Sequence, residues 1–165
     1  MTPVIRVATQ DDVDDVRRVG ELTWPPTYAF AGDDYVAHGL STWWSDEATS
    51  RTLRDTTVLV AVVDDEIVGM GNIDLRSVVP VIWRLYVVPA AQGTGAGSAL
   101  LTALVGLVPP GAGAVRLEYV DGNDRAARFY ARHGFREIRR EPDQHDGRDD
   151  LPDIVWVERP VDVPG

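Results

Sequence analysis

The chain has 165 residues, 44% of them hydrophobic, which is enough for one domain with a real core and too much for a disordered chain. It contains no cysteine, so disulfides, thiolate metal sites and a cysteine nucleophile are excluded. The net charge is −10 and every Lys/Arg-type cation is an arginine, a balance that argues against general nucleic-acid binding and favours cationic partners at long range, or serves solubility alone.

The opening "MTPVIRVATQDD" lacks the zones of a signal peptide, and no apolar run approaches the ~18 residues of a membrane span. A soluble cytoplasmic protein, monomer or homodimer, is the expectation. "IRVAT" (Ile5 to Thr9) alternates as a strand does. Thr9 then stands as an N-cap, with Asp12 three residues on as the acid of a capping box, and Val13, Val16 and Val19 follow at helical spacing. Trp24 to Asp55 is rich in aromatics and broken by Pro25, Pro26 and two glycines, and reads as a loop with one or two helices.

Val58 to Val63, a turn at Asp64-Asp65-Glu66, and Ile67 to Leu75 predict a hairpin. "VVPVIWRLYVVP" is a strand ended by Pro89. A helix is expected from about Ala96 to Val108, stopped by "PPG", then a strand over Ala114 to Val120. "NDRAARFYARHG" is a helix with Asn123 as N-cap and Gly134 just past its end. "FREIRRE" and "DIVWVER" are two final strands joined by an acidic loop. Helices alternating with strands in the middle, and hairpins at both ends, imply an α/β fold with strands in mixed directions.

The stretch "QGTGAGSALL" sets Gly93, Gly95 and Gly97 between a strand and a helix start. The first helical N–H groups lack partners and the helix dipole adds about half a positive charge, so such a turn suits a phosphate without any lysine. The triphosphate loop G-x-x-x-x-G-K-[ST] is absent. The dinucleotide motif G-x-G-x-x-G fails because its third position falls on Ser98 and the stretch lies past mid-chain. A tightly packed helix entry with no ligand explains the trio equally well.

The company of the glycines narrows this. "LYVVPAAQGTGAGSALL", followed by Leu117-Glu118-Tyr119-Val120, Asn123, Ala126, Phe129-Tyr130 and Gly134-Phe135, resembles the GCN5-related N-acetyltransferases, the GNAT family. The resemblance covers nearly the whole chain, so one domain over residues 1–165 is expected. It implies a mixed, mostly antiparallel six- to seven-stranded sheet with helices on both faces. The fourth and fifth strands would run parallel and splay apart around acetyl-CoA. The pyrophosphate would rest on the backbone of Gln92, Gly93, Thr94, Gly95, Ala96 and Gly97, with Ser98 beside them. The pantetheine arm would pair with Leu85, Tyr86, Val87 and Val88. A bulge there would aim a backbone N–H, that of Val87, at the thioester carbonyl. Asn123, Ala126, Phe129 and Tyr130 would complete the cofactor side.

Acetyl transfer to an amine needs a proton acceptor for the amine and a donor for the departing sulfur. The resemblance implies that Tyr130 faces the sulfur as the acid. Glu118, twelve residues before it, is the candidate base, and an ion pair with Arg84 or Arg116 is an equally good reading of it. Many family members carry an acid just before the L-Y-V segment, where this chain reads Val81-Ile82-Trp83-Arg84. Solvent, or Asp33, Asp34 or Asp74, could substitute. His133 reads as structural, His38 and His145 fall in poorly defined segments, and no His/acid cluster has metal-ligand spacing, so no metal is expected.

The acceptor is an amine of unidentified kind. Trp24, Tyr28, Tyr35, Trp43 and Trp44 could line its pocket, though aromatics so spaced are more often core. Residues Glu137 to Gly165 hold nine acids against four arginines, which leans towards a cationic small molecule or a protein N-terminus. A non-catalytic acyl-CoA-binding domain is the alternative, supported by the missing fourth-strand acid. An NAD-dependent oxidoreductase is disfavoured by the glycine spacing.

Overall fold

A run of β-branched strands too apolar to face water on both sides must be covered by helices on both, and the chain does this with one seven-stranded sheet. The computed structural model describes residues 2–143 and 151–161. In chain order the elements are β1 (Val4–Val7), α1 (Val13–Thr27), α2 (Asp33–Trp43), α3 (Asp46–Asp55), β2 (Thr57–Val63), β3 (Glu66–Asp74), β4 (Val81–Val87), α4 (Ala96–Val105), β5 (Ala114–Val120), α5 (Asp124–Arg132), β6 (Arg136–Glu141) and β7 (Ile154–Pro160). The sheet order is β1-β2-β3-β4-β5-β7-β6, antiparallel throughout except for the parallel β4–β5 pair.

The N-terminal strand spans Val4–Val7 and ends before Thr9, with one last bond to the sheet from the Ala8 N–H to the Val58 carbonyl at 2.9 Å. A single turn of 3₁₀ helix over Gln10–Asp12 then leads into α1. The Thr9 N–H donates to the Asp12 carboxylate at 2.8 Å, as a capping box requires. Asp12 also accepts two hydrogen bonds of 2.9 Å from Arg6, a partner the sequence reading did not supply. Those bonds hold the Asp12 carboxyl below its ordinary range.

Between Trp24 and Asp55 the structure has more helix than expected. α1 carries Pro25 and Pro26 into its last turn, and two further helices follow. The local signal at the prolines is overridden by packing, since Trp24 and Tyr28 are buried against β4 and the Tyr28 N–H still reaches the Trp24 carbonyl at 2.9 Å. Trp44, only 1% exposed, lies so close over Gly20 of α1 that a Cβ there would stand 2.1 Å from its ring.

The β2–β3 hairpin turns through Asp64 and Asp65, both in the left-handed region at φ 52° and 63°. α4 stops at Val105 instead of Val108. Its last residues tighten into i→i+3 bonds, Leu107 to Leu104 and Val108 to Val105, ahead of the two prolines. Leu85 and Val87 point towards α4, as the contacts around Gly69 and Gly71 show. Arg84 and Tyr86, alternate residues of the same strand, point the other way, towards Trp44 and Tyr28.

Candidate active site

The parallel strands β4 and β5 pair at only two positions, Val81 with Arg116 and Ile82 with Leu117. Beyond them the strands separate. The register of β4 against β3 shifts between Ile82 and Arg84, leaving Trp83 as the extra residue of a β-bulge. The bulge expected within Leu85 to Val88 therefore lies earlier, at the point where the strands part, where the extra residue bends the strand. The later residues pair regularly, Leu85 with Gly71 and Val87 with Gly69.

Strand pairing orients the backbone of the gap. The Val88 N–H donates to the Val68 carbonyl at 2.9 Å, so by alternation Leu85 and Val87 turn their N–H and C=O groups away from β3, towards the gap. The Val87 carbonyl is met by the Gln92 side-chain amide at 3.0 Å, and Arg125 of α5 donates to the Gln92 side-chain oxygen.

The three glycines divide the work at the start of α4. Gly93 and Gly95 have φ of 82° and 90°, a conformation L side chains rarely adopt, and open space surrounds both. Gly95 is the residue before the helix, which has no side-chain cap, and the Gly95 carbonyl receives the Ala99 N–H. The N–H groups of Ala96, Gly97 and Ser98 are thus the unpaired first turn of a helix whose approach carries no side chain. Gly97 is helical and meets the Phe129 ring, at 3.5 Å from where its Cβ would be.

A cleft of about 350 Å³ runs along this wedge. Of the residues singled out in the sequence, Leu85, Tyr86, Val87, Gln92, Gly93, Gly95, Gly97, Ser98, Glu118, Asn123, Ala126, Phe129 and Tyr130 line it. Val88, Thr94 and Ala96 do not. Val88 and Ala96 are core, and the Thr94 hydroxyl is turned back to the Ala91 carbonyl. Asn123 caps α5, its side-chain oxygen accepting from the Ala126 N–H at 3.2 Å. His133 is held at the end of α5 by the Phe129 carbonyl and the Ser98 hydroxyl. The sequence reading missed Arg125 and Arg132, which also line the cleft. Their signal was the shared helical face with Phe129, at spacings of four and three.

Tyr130 is buried, with its ring against Tyr119, Phe129 and Phe135. Burial, and then the neighbouring Tyr86, push its phenol well above the ordinary range, so it stays protonated. Glu118, on β5, lines this cleft and a second, larger one of about 850 Å³ on the side of α1–α3. Arg116 does not pair with it: its partner is Glu158 on β7, at 2.6 Å and opposite in register.

The two clefts meet at six residues: Tyr28, Trp83, Arg84, Tyr86, Glu118 and Tyr119. Trp24, Tyr35, Trp43 and Trp44 wall the second cleft, and of these Trp24 and Trp44 are also core, so both readings of the aromatics hold. Asp74 lines the second cleft but is bound by Arg76, while Asp33 and Asp34 line neither. His145 and most of the acidic loop before β7 lie outside the described residues. Among the described residues no group of three His, Asp or Glu could hold a metal, and no helix is long and apolar enough to cross a membrane.

Residues 54–137 match the family model described as an acetyltransferase (GNAT) domain. No curated protein matches the chain. Among solved structures it is similar to the PaiA N-acetyltransferase of Thermoplasma acidophilum in complex with coenzyme A (21% identity, covering 98% of this chain and 100% of that one, TM-score 0.79). It is also similar to a GCN5-related N-acetyltransferase of Rhodopseudomonas palustris (20% identity, 98% and 97% covered, TM-score 0.82). A third likeness is to the ribosomal-protein-S18-alanine N-acetyltransferase of Escherichia coli (16% identity, 99% and 96% covered, TM-score 0.78). At these identities the likeness is one of fold, the splayed mixed sheet above, and with the matched family model it places this chain in the GNAT acetyltransferase family.

Proposed function

We propose that the protein transfers the acetyl group of acetyl-CoA to a primary amine by direct attack in a ternary complex. The observation that carries this reading is the junction: a cleft from the glycine turn and a second, aromatic-walled cleft meet beside Glu118. Pyrophosphate would sit on the free N–H groups that open α4, as the coenzyme A complex of the Thermoplasma relative encourages. Pantetheine would run along Leu85 and Val87, whose outward backbone groups offer strand-like pairing, and the Val87 N–H is the candidate donor to the thioester oxygen.

The reaction is simple to balance. The amine nitrogen attacks the thioester carbon, the C–N bond forms, and the C–S bond breaks with its electron pair leaving on sulfur. Glu118 takes the amine proton, directly or through water. Tyr130 donates a hydrogen bond to the departing thiolate. Because burial raises its pKa, it is a weaker acid than an exposed phenol and serves as a donor that holds its proton.

Thiol release from acetyl-CoA across a panel of amines tests the reading, with thermal shifts by coenzyme A and acetyl-CoA alongside. Release with at least one amine supports it. A clear shift with acetyl-CoA and no release with any amine would favour a non-catalytic acyl-CoA-binding domain, which the absence of an acid among Val81-Ile82-Trp83-Arg84 makes the competing reading.

A further inference from the structure

The arginine at the junction has no evident occupation. Arg84 follows the bulge at Trp83, pairs in register with Asn72, and turns towards α1–α3. Its guanidinium lies 4.8 Å over the Trp44 ring. The Nη1 atom is buried without a hydrogen-bond partner, and among the described residues no carboxylate comes within ion-pair reach of the group. Elsewhere Arg6, Arg76 and Arg116 each hold a carboxylate at 2.9 Å or less.

A half-buried guanidinium with a buried, unmet donor is costly unless something anionic meets the group. The ring below it offsets part of that cost but accepts no in-plane hydrogen bond. The group keeps company. Trp44 Nε1 and Asn72 Oδ1 are also buried without partners, and Trp44, Asn72 and Arg84 all line the second cleft. That cleft therefore has an aromatic wall, with unmet polar atoms lying beneath its surface.

We infer that the acceptor is an α-amino acid whose free carboxylate binds Arg84, with its amine at the junction and its side chain between the aromatic walls. This rests on the transferase reading above and narrows it. The carboxylate and amine of an α-amino acid share one carbon, so anchoring the first at Arg84 keeps the second at the junction that Glu118 also borders. Tyr35 and the exposed Trp43 offer an apolar side chain an aromatic surface. The cofactor's phosphates do not compete for Arg84, because Leu85 and Val87 face α4 and Arg84 faces the opposite side of the sheet. A protein N-terminus, whose first carboxyl is an amide, lacks the group that Arg84 would bind.

The test compares kcat/KM for thiol release from matched pairs, phenylalanine, leucine and methionine each beside its own amide, and from a short peptide. The amide amine is the less basic of each pair and holds more neutral nucleophile, so chemistry alone favours the amide. The expected result is a preference of about tenfold or more for the free acid. Arg84→Gln should draw that ratio towards one, while Arg84→Lys, which keeps the charge, should retain part of it. A ratio near one in the native protein overturns the inference, and this comparison needs no variant to fold. So does an Arg84→Gln variant that lowers acid and amide by the same factor. Release from amides and peptides but not acids overturns the role of Arg84 and leaves the transferase reading standing. Acetyl-CoA binding without release from any amine overturns both.

Discussion

Tyr130→Phe separates a catalytic hydroxyl from a packing ring. The ring is buried among Tyr119, Phe129 and Phe135, and phenylalanine keeps all of that contact. Among the described residues the hydroxyl makes no hydrogen bond, so its removal leaves no partner orphaned and stability should stay within about 0.5–1 kcal/mol. The effect on rate is different. A thiol titrates near ~8.5 and a phenol near ~10 before burial raises it further, so full proton transfer from Tyr130 to the thiolate is uphill by about 2 kcal/mol or more. What the hydroxyl supplies is a hydrogen bond to a developing anion, worth about 1.5–3 kcal/mol, which corresponds to a loss of roughly 10–150-fold in kcat. The assay is steady-state thiol release at saturating acetyl-CoA, with melting temperature and acetyl-CoA affinity measured on the same preparations. The native rate should also show no alkaline fall assignable to Tyr130 below a pH of ~10, since its pKa is raised. A variant within twofold of the native rate, or one whose lost activity tracks lost stability, would refute the hydroxyl's part in the reaction.

Glu118→Gln keeps the side-chain shape and removes the base. It should lower kcat by about 10²-fold or more with acetyl-CoA affinity retained, and a rate within twofold of native would assign the proton to solvent. Gly95→Ala places a side chain at φ 90° without a clash and should cost about 1 kcal/mol while weakening coenzyme A binding. Gly97→Ala, in an ordinary helical position at an easy 3.5 Å from Phe129, should leave the fold as stable or slightly more so. The reverse order in thermal melts would contradict this division among the glycines. Asp12→Asn should destabilise by about 1–2 kcal/mol near neutral pH, because it removes the charge and one of the two acceptor oxygens that bind Arg6 and the Thr9 N–H. Because the folded carboxyl titrates below its unfolded value, that contribution is present above a pH of ~4 and disappears as pH falls through the folded pKa. Urea midpoints of the two proteins should therefore converge in acid, and a gap that persists there would contradict the assignment.

Local signals determined much of the fold. Capping at Thr9 and Asn123, the Asp-Asp turn, and the β-forming runs of β2, β3 and β5 are short-range effects, and each element appears within a few residues of where the chain announces it. The glycine turn was legible for the same reason: φ at Gly93 and Gly95 and the free N–H groups at the start of α4 are set by neighbouring residues. Where long-range packing opposed local preference, packing won. Pro25 and Pro26 should have broken α1, and the burial of Trp24 and Tyr28 against β4 carried the helix through them.

The site divides along the same line. The sequence by itself singled out most residues that line the first cleft, because the strand, glycine turn and helix start are contiguous in the chain. Only the tertiary structure decided the partners. Arg116 and Glu118 share a strand face, yet β7 brings Glu158 to Arg116, a residue forty-two positions away. Arg84 reads in the sequence as the residue where an acid is missing. In the structure it is a half-buried cation over Trp44, bordering the same clefts as Glu118. A charge's partner, or its lack of one, depends on strand order and helix packing, which no short stretch of sequence encodes.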